Sequence, residues 1–256
     1  MHAEIGISLS TLYGFLIVLA RVGGILVFTP IPGAQASPNA SRAVLALAIT
    51  VMLLPLMPTN INPAAFSVLA IWAATEAVTG VLIGLAVSIL LESLQFAAHM
   101  IELPAGFSYA SIVNPDSQAD STLLQVLTQL LGGLLFFVLG FDRQVILILA
   151  RSFDLLPPGA VPARVPLTAA LIRAGAGIFV TGLRLAMPVL ALLLLVDIAI
   201  AVLGRIQAQL HLLPLSFSIK LLAGLLMLAG SLGLYAPVLQ QSGNRMFAAL
   251  AGLLEP

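Results

Sequence analysis

Long apolar intervals between widely spaced charges dominate the chain and set its predicted elements. About 20 mostly apolar residues cross the hydrocarbon core as a helix, so each interval near that length is a candidate span. Ile5 to Phe28 is the first, interrupted only by Arg21. The second begins near Ser41, a candidate N-cap ahead of RAVLALAITVMLLPL, and stops at Pro55 and Pro58, short of a full span. Val68 to Leu91 is the third, with Glu76 inside it. A more polar helical stretch, Ser93 to Leu103, carries Gln95, His99 and Glu102 and ends at Pro104. Leu123 to Phe141 is the fourth long segment. The passage after it, FDRQVILILARSFDLLPPGAVPARVP, reads as a turn-rich junction, too short and too polar to span a bilayer. Leu167 to Leu203 is one very long pattern that Pro188 is expected to kink or break, and Phe217 to Ala236 follows. The pattern predicts an all-α fold of integral membrane hairpins. About six long hydrophobic segments, several interrupted, lie in one membrane domain over residues 1–256 with no internal repeat.

Composition strengthens the membrane reading. Hydrophobic residues make up 61% of the 256 and charged residues 8%, against roughly 45–50% and about 25% in soluble domains. Ten Lys and Arg balance ten Asp and Glu, so no basic surface points to nucleic acid. The absence of cysteine removes disulfides, thiolate nucleophiles and cysteine-ligated metals. The N-terminal apolar run lacks a basic leader and a small-residue cleavage site and continues past Arg21, so it is expected to be a retained helix. Basic residues are scattered over nearly every connection, and the positive-inside rule selects no orientation.

Charges inside apolar stretches come next, because one at the bilayer centre costs on the order of 3 kcal/mol. Arg21, Glu76, Arg184 and Asp197 qualify, as buried charges with a structural or gating role. Pairing with one another or with backbone carbonyls, or snorkelling of the arginines, satisfies them without any pathway. His99 and Glu102 share a helical face; a hydrogen-bonded interfacial histidine fits them better than a metal or proton relay, since no second ligand pair is near. Gly80 and Gly84 form a G-x-x-x-G, and Gly132-Gly133, Gly175-Gly177 and Gly230-Gly233 supply further small positions for close helix approach. The signatures H-E-x-x-H, G-x-S-x-G, the P-loop and G-x-G-x-x-G do not occur, so neither a catalytic residue, a metal nor a cofactor is expected.

One stretch breaks the apolar pattern: GFSYASIVNPDSQADSTLLQ, Gly106 to Gln125, bulky and apolar in its first half and polar in its second. Asn114-Pro115 stops any helix there. Non-helical backbone at membrane depth is tolerated only inside protein or beside water.

Taken in order, ARVGGILVFTPIPG, RAVLALAITVMLLPLMP, TEAVTGVLIGLAVSILLESLQFAAHMIELPAGFSYASIVNP, LTQLLGGLLFFVLGFDRQVILILARSFDLLPPG and MPVLALLLLVDIAIAVLGRIQAQLHLLPLSFSIKLLAGLLML resemble the FliR family, R-type subunits of the flagellar type III export gate. The resemblance covers nearly the whole chain. It departs at Ala208-Gln209, where Pro-Gln is frequent, and at Asn114-Pro115, where Asp-Pro is usual. It implies a non-enzymatic subunit of a multi-subunit helical cone in the bacterial inner membrane, within the flagellar basal body. The implied partners are P-type and Q-type subunits (FliP, FliQ), a B-type subunit (FlhB), membrane lipid and unfolded export substrates. It also implies that the loop 106–122 plugs the channel, with Gly106, Phe107, Tyr109, Ile112, Val113, Asn114 and Pro115 as plug residues; the apolar ones suit closure by dewetting. Two other classes stay open: a self-contained secondary transporter with a midplane site around Glu76, Arg184 and Asp197, and an intramembrane hydrolase pairing Ser108 or Ser111 with His99.

Overall fold

The structure, a computed structural model, describes residues 9–29, 39–56, 66–107, 123–159, 167–206 and 212–254. Among these every regular element is helical: α1 (Leu9–Phe28), α2 (Asn39–Leu53, followed by a 3-10 turn, Leu54–Leu56), α3 (Phe66–Ala105), α4 (Leu123–Val138), α5 (Phe141–Leu155), α6 (Leu167–Ile206) and α7 (Leu212–Leu254). Four are long and apolar enough to cross a membrane, or five if α4 and α5 count as one broken span.

Three expectations change. The segments Val68–Leu91 and Ser93–Leu103 are one helix, because Glu92 and Ser93 are ordinary helical residues and nothing between them stops the ladder. The 40 residues of α3 run about 60 Å, roughly twice a hydrocarbon core. Pro188 sits inside α6, which continues through it. A mid-helix proline forfeits one backbone hydrogen bond, and burial of Leu185, Ala186 and Val189 around it holds the helix together. The supposed junction after Phe141 contains α5, whose Phe141, Val145, Leu149 and Ser152 recur at helical spacing and are buried. Gly140, at φ 70°, separates α4 from α5; a left-handed residue ends one helix and starts the next.

Two compact units divide the chain, the first from Met1–Ser88, Gly140–Ile172 and Arg245–Pro256, the second from Ile89–Leu139 and Arg173–Asn244. In the first, α1 packs on α2 and against α3. A methyl group on Gly80 would run into the Arg21 carbonyl, one on Gly84 into Ile25 and one on Gly24 into Ala77, so these glycines bring the two backbones into contact. Beside that seam Ile17 and Leu69 are buried, with Tyr13 and Trp72 against them.

In the second unit, Gly182 of α6 lies on the Ser93 carbonyl and Phe96 of α3, where Phe96 and Phe179 meet edge to face at 5.0 Å. Gly132 of α4 fits against Leu94, and Gly224 of α7 against Ala105. The other glycine pairs behave differently: side chains added at Gly175, Gly177, Gly230 or Gly233 would meet nothing.

Candidate functional site

The described residues hold one polar cluster in each unit, the first around Arg21 and Glu76, the second around Glu102 and Gln125. The first grows out of the glycine seam. With α1 and α3 in backbone contact at Gly80, the side chain of Arg21 faces that of Glu76 four residues earlier on α3, and Arg21 Nε donates to Glu76 Oε2. Both side chains are sealed, at 0% and 1% exposure. The guanidinium also donates through Nη1 to Ser152 Oγ at 2.9 Å and through Nη2 to the Leu156 carbonyl at 3.0 Å, and it lies 4.0 Å from the centre of the Phe153 ring. Ser152 donates its own hydroxyl hydrogen bond to the Leu149 carbonyl at 2.7 Å. The other Glu76 oxygen accepts the Gly159 N–H at 3.2 Å.

Gly159 is required at that position twice over. Its φ of 84° is left-handed, and a side chain there would strike the Trp72 indole. The cluster therefore clamps the turn after α5 onto α1 and α3. Among the described residues every buried side-chain polar atom has a partner, as burial of charge demands.

The second cluster sits where the 107–122 loop leaves and rejoins the helices. The last turn of α3 closes with the Gly106 N–H on the Leu103 carbonyl at 3.2 Å and the Phe107 N–H on the Glu102 carbonyl at 3.1 Å. This is the Schellman pattern, which needs a left-handed residue, and Gly106 supplies it at φ 84°. The Phe217 ring of α7 covers the Gly106 α-carbon. In the first turn of α4, Gln125 reaches across to the last two turns of α3. Its amide Nε2 donates to Glu102 Oε2 at 2.8 Å and lies 3.2 Å from His99 Nδ1, with His99 Nδ1 and Glu102 Oε2 3.6 Å apart. The carboxylate is 9% exposed and the imidazole 60%.

Of the residues expected to form a plug, Gly106 and Phe107 lie at the end of α3; Tyr109, Ile112, Val113, Asn114 and Pro115 lie outside the described residues, as do Ser108 and Ser111. The four embedded charges separate. Arg21 and Glu76 are buried together. Arg184, expected to be buried, is exposed on α6 because it falls on the outward face between the buried Thr181 and Leu185. Asp197 is 44% exposed and pairs with Lys220 of α7, itself 20% exposed, since the two helices meet side by side there. Thr181 and Ser242 bridge the same helices at 3.2 Å. The three residues of the imagined transporter site therefore have separate environments: Glu76 pairs with Arg21, Asp197 with Lys220, and Arg184 has no ion-pair partner among the described residues.

Ser152, Gly159, Trp72, Lys220 and Gln125 were not singled out from sequence. A Pro-Pro-Gly turn marks Gly159 and a single Trp marks Trp72, but nothing local announces a serine as an arginine ligand or a glutamine as a cross-link.

Long apolar helices, glycine-mediated backbone contacts and sealed charges define the class: a multi-pass α-helical membrane protein. The sequence pattern of the family described as "Bacterial export proteins, family 1" matches residues 12–246, and the chain belongs to that family. Curated relatives agree along their length. The chain is 30% identical to the flagellar biosynthetic protein FliR of Escherichia coli K12 over 92% of this chain and 90% of that one. It is 30% identical to the FliR of Pectobacterium carotovorum, covering 91% and 90%, and 27% identical to that of Caulobacter vibrioides, covering 84% and 87%.

Proposed function

We propose that this chain is a non-enzymatic subunit of the flagellar type III protein export gate in the bacterial inner membrane, and that its 106–122 loop plugs the channel for unfolded substrates. Family membership over residues 12–246 and relatives named as flagellar biosynthetic proteins support the flagellar assignment. The observation that carries the plug is the loop's setting. It emerges from a Schellman-stopped helix end covered by Phe217 and returns into α4, which is tied back to α3 through Gln125 and Glu102. A segment with bulky apolar residues, departing from a stopped helix end and returning to a helix tied back to it, suits an obstruction better than a slack connection.

P-type and Q-type subunits and a B-type subunit are the proposed partners, and the open apolar and glycine faces of α6 and α7 give them surface to cover. Only 22% of the most apolar stretch of α6 and 17% of that of α7 are buried within the chain, against 50% for α3. The test is removal of Gly106 to Asp116 in the assembled complex with ion leak as the readout. Leak is expected to rise sharply, and an unchanged leak refutes the plug. Copurification in mild detergent checks the assembly: companion export subunits are expected, whereas a folded chain that comes out alone and binds a small solute favours a transporter.

A further inference from the structure

We propose that His99, Glu102 and Gln125 form a clip that positions the plug by holding the two stems of the 106–122 loop together; this deepens the plug reading and rests on it. Glu102 and Gln125 are 23 residues apart in the chain, and their hydrogen bond ties the helix that feeds the loop to the helix that receives it. Each end of the loop is fixed by a different device. On the α3 side the Schellman closure at Gly106 sets the direction of departure, and the Phe217 ring lies against Gly106. On the α4 side no comparable stop is visible among the described residues, and Gln125 does the work by spanning to Glu102.

A glutamine suits this task because its one amide nitrogen carries two protons. One goes to the carboxylate at 2.8 Å and the other points to His99 Nδ1 at 3.2 Å, so the bridge contacts two successive turns of α3 and resists both separation and sliding. Glu102 is 9% exposed and loses a donor if the stems part, which makes separation costly for a shielded carboxylate. The 60% exposed imidazole keeps one edge of the clip open, so it can yield without unfolding the helices.

The test uses the assembled complex in proteoliposomes with ion leak as the readout. Gln125→Glu places a carboxylate against Glu102 and should raise leak by roughly tenfold or more, as expected for a charge-assisted bond turned repulsive. Adding Glu102→Gln restores a donor and an acceptor with the polarity reversed, so the double variant should return towards the wild-type leak. Spin labels at the exposed positions Leu103 and Val126 give a second measurement, free of background labelling from this chain because it has no cysteine. Their distance distribution should broaden in Gln125→Glu and narrow again in the double variant. If removal of Gly106 to Asp116 causes leak but Gln125→Glu does not, or the double variant fails to recover, the clip is refuted and the plug stands. If the deletion itself causes no leak, the plug reading falls and the clip falls with it.

Discussion

The Arg21 cluster and the Gln125 cluster use similar chemistry to opposite ends. Around Arg21 a full ion pair is sealed at 0% and 1% exposure and reinforced by a serine hydroxyl, a carbonyl, a backbone amide and an aromatic face. At the loop base a neutral amide bridges one shielded carboxylate and one imidazole that is mostly in contact with the surroundings. A buried charge with all its partners built in cannot be opened in steps, since losing any partner strands the rest in a medium that does not solvate them. A neutral bridge with an exposed edge can be broken and remade. The first arrangement suits a fixed frame, and the second suits a part that has to move.

The largest effect is expected from splitting the sealed pair. Arg21→Ala or Glu76→Ala leaves its partner charged and buried and should destabilise the protein by about 3–5 kcal/mol. In purified complexes this reads as a lower unfolding temperature and a lower yield. The double variant Arg21→Met with Glu76→Leu removes both charges and should cost much less than either single change. A double variant as damaged as the singles breaks the account of a frame held by mutual compensation.

Gly80 comes next. Its replacement by valine forces the α1 backbone away at the Arg21 carbonyl, and overpacking of this kind costs about 1–3 kcal/mol. The matched control is Gly175→Ala, where an added methyl meets nothing within the chain and helix propensity improves by up to about 1 kcal/mol. Thermal stability should therefore fall for Gly80→Val and hold or rise for Gly175→Ala. A loss of assembly confined to Gly175→Ala sharpens the comparison differently, by marking that glycine face as covered by a partner.

The two clusters also explain how far the sequence could be read. Helix identity followed from apolar runs, and Arg21 with Glu76 stood out because charge in an apolar run is conspicuous. The pairing itself depends on the α1 and α3 backbones touching at Gly80, which no local pattern encodes, although G-x-x-x-G signalled that a close approach existed. Residues with long-range partners but ordinary local settings stayed invisible: Ser152 sits in a stretch that looked like a turn-rich junction, and Gln125 looks like any polar residue in a first helical turn. Proline and charge misled in one direction. Pro188 suggested a kinked or broken helix, of which the break does not occur, and Arg184 suggested a buried charge. Packing on one face carried α6 through the proline while leaving Arg184 on the other face.

The smallest expected effect lies at Asp197 and Lys220. Like Arg21 and Glu76 they pair across two long helices within apolar sequence, and from sequence alone Asp197 ranked with Glu76. Exposure separates them: with Asp197 44% and Lys220 20% exposed in the chain, neither charge has been fully taken from its surroundings, and pairs of that kind contribute about 0.2–1 kcal/mol. Asp197→Asn and Lys220→Gln should each shift the unfolding temperature of the chain by no more than a few degrees, and the charge reversal of both together should sit close to the singles. If Asp197→Asn instead weakens the assembled complex as severely as Glu76→Ala, this pair is sealed by a neighbouring subunit. The α6 and α7 faces then belong with the frame around Arg21 rather than with the yielding contacts of the loop base.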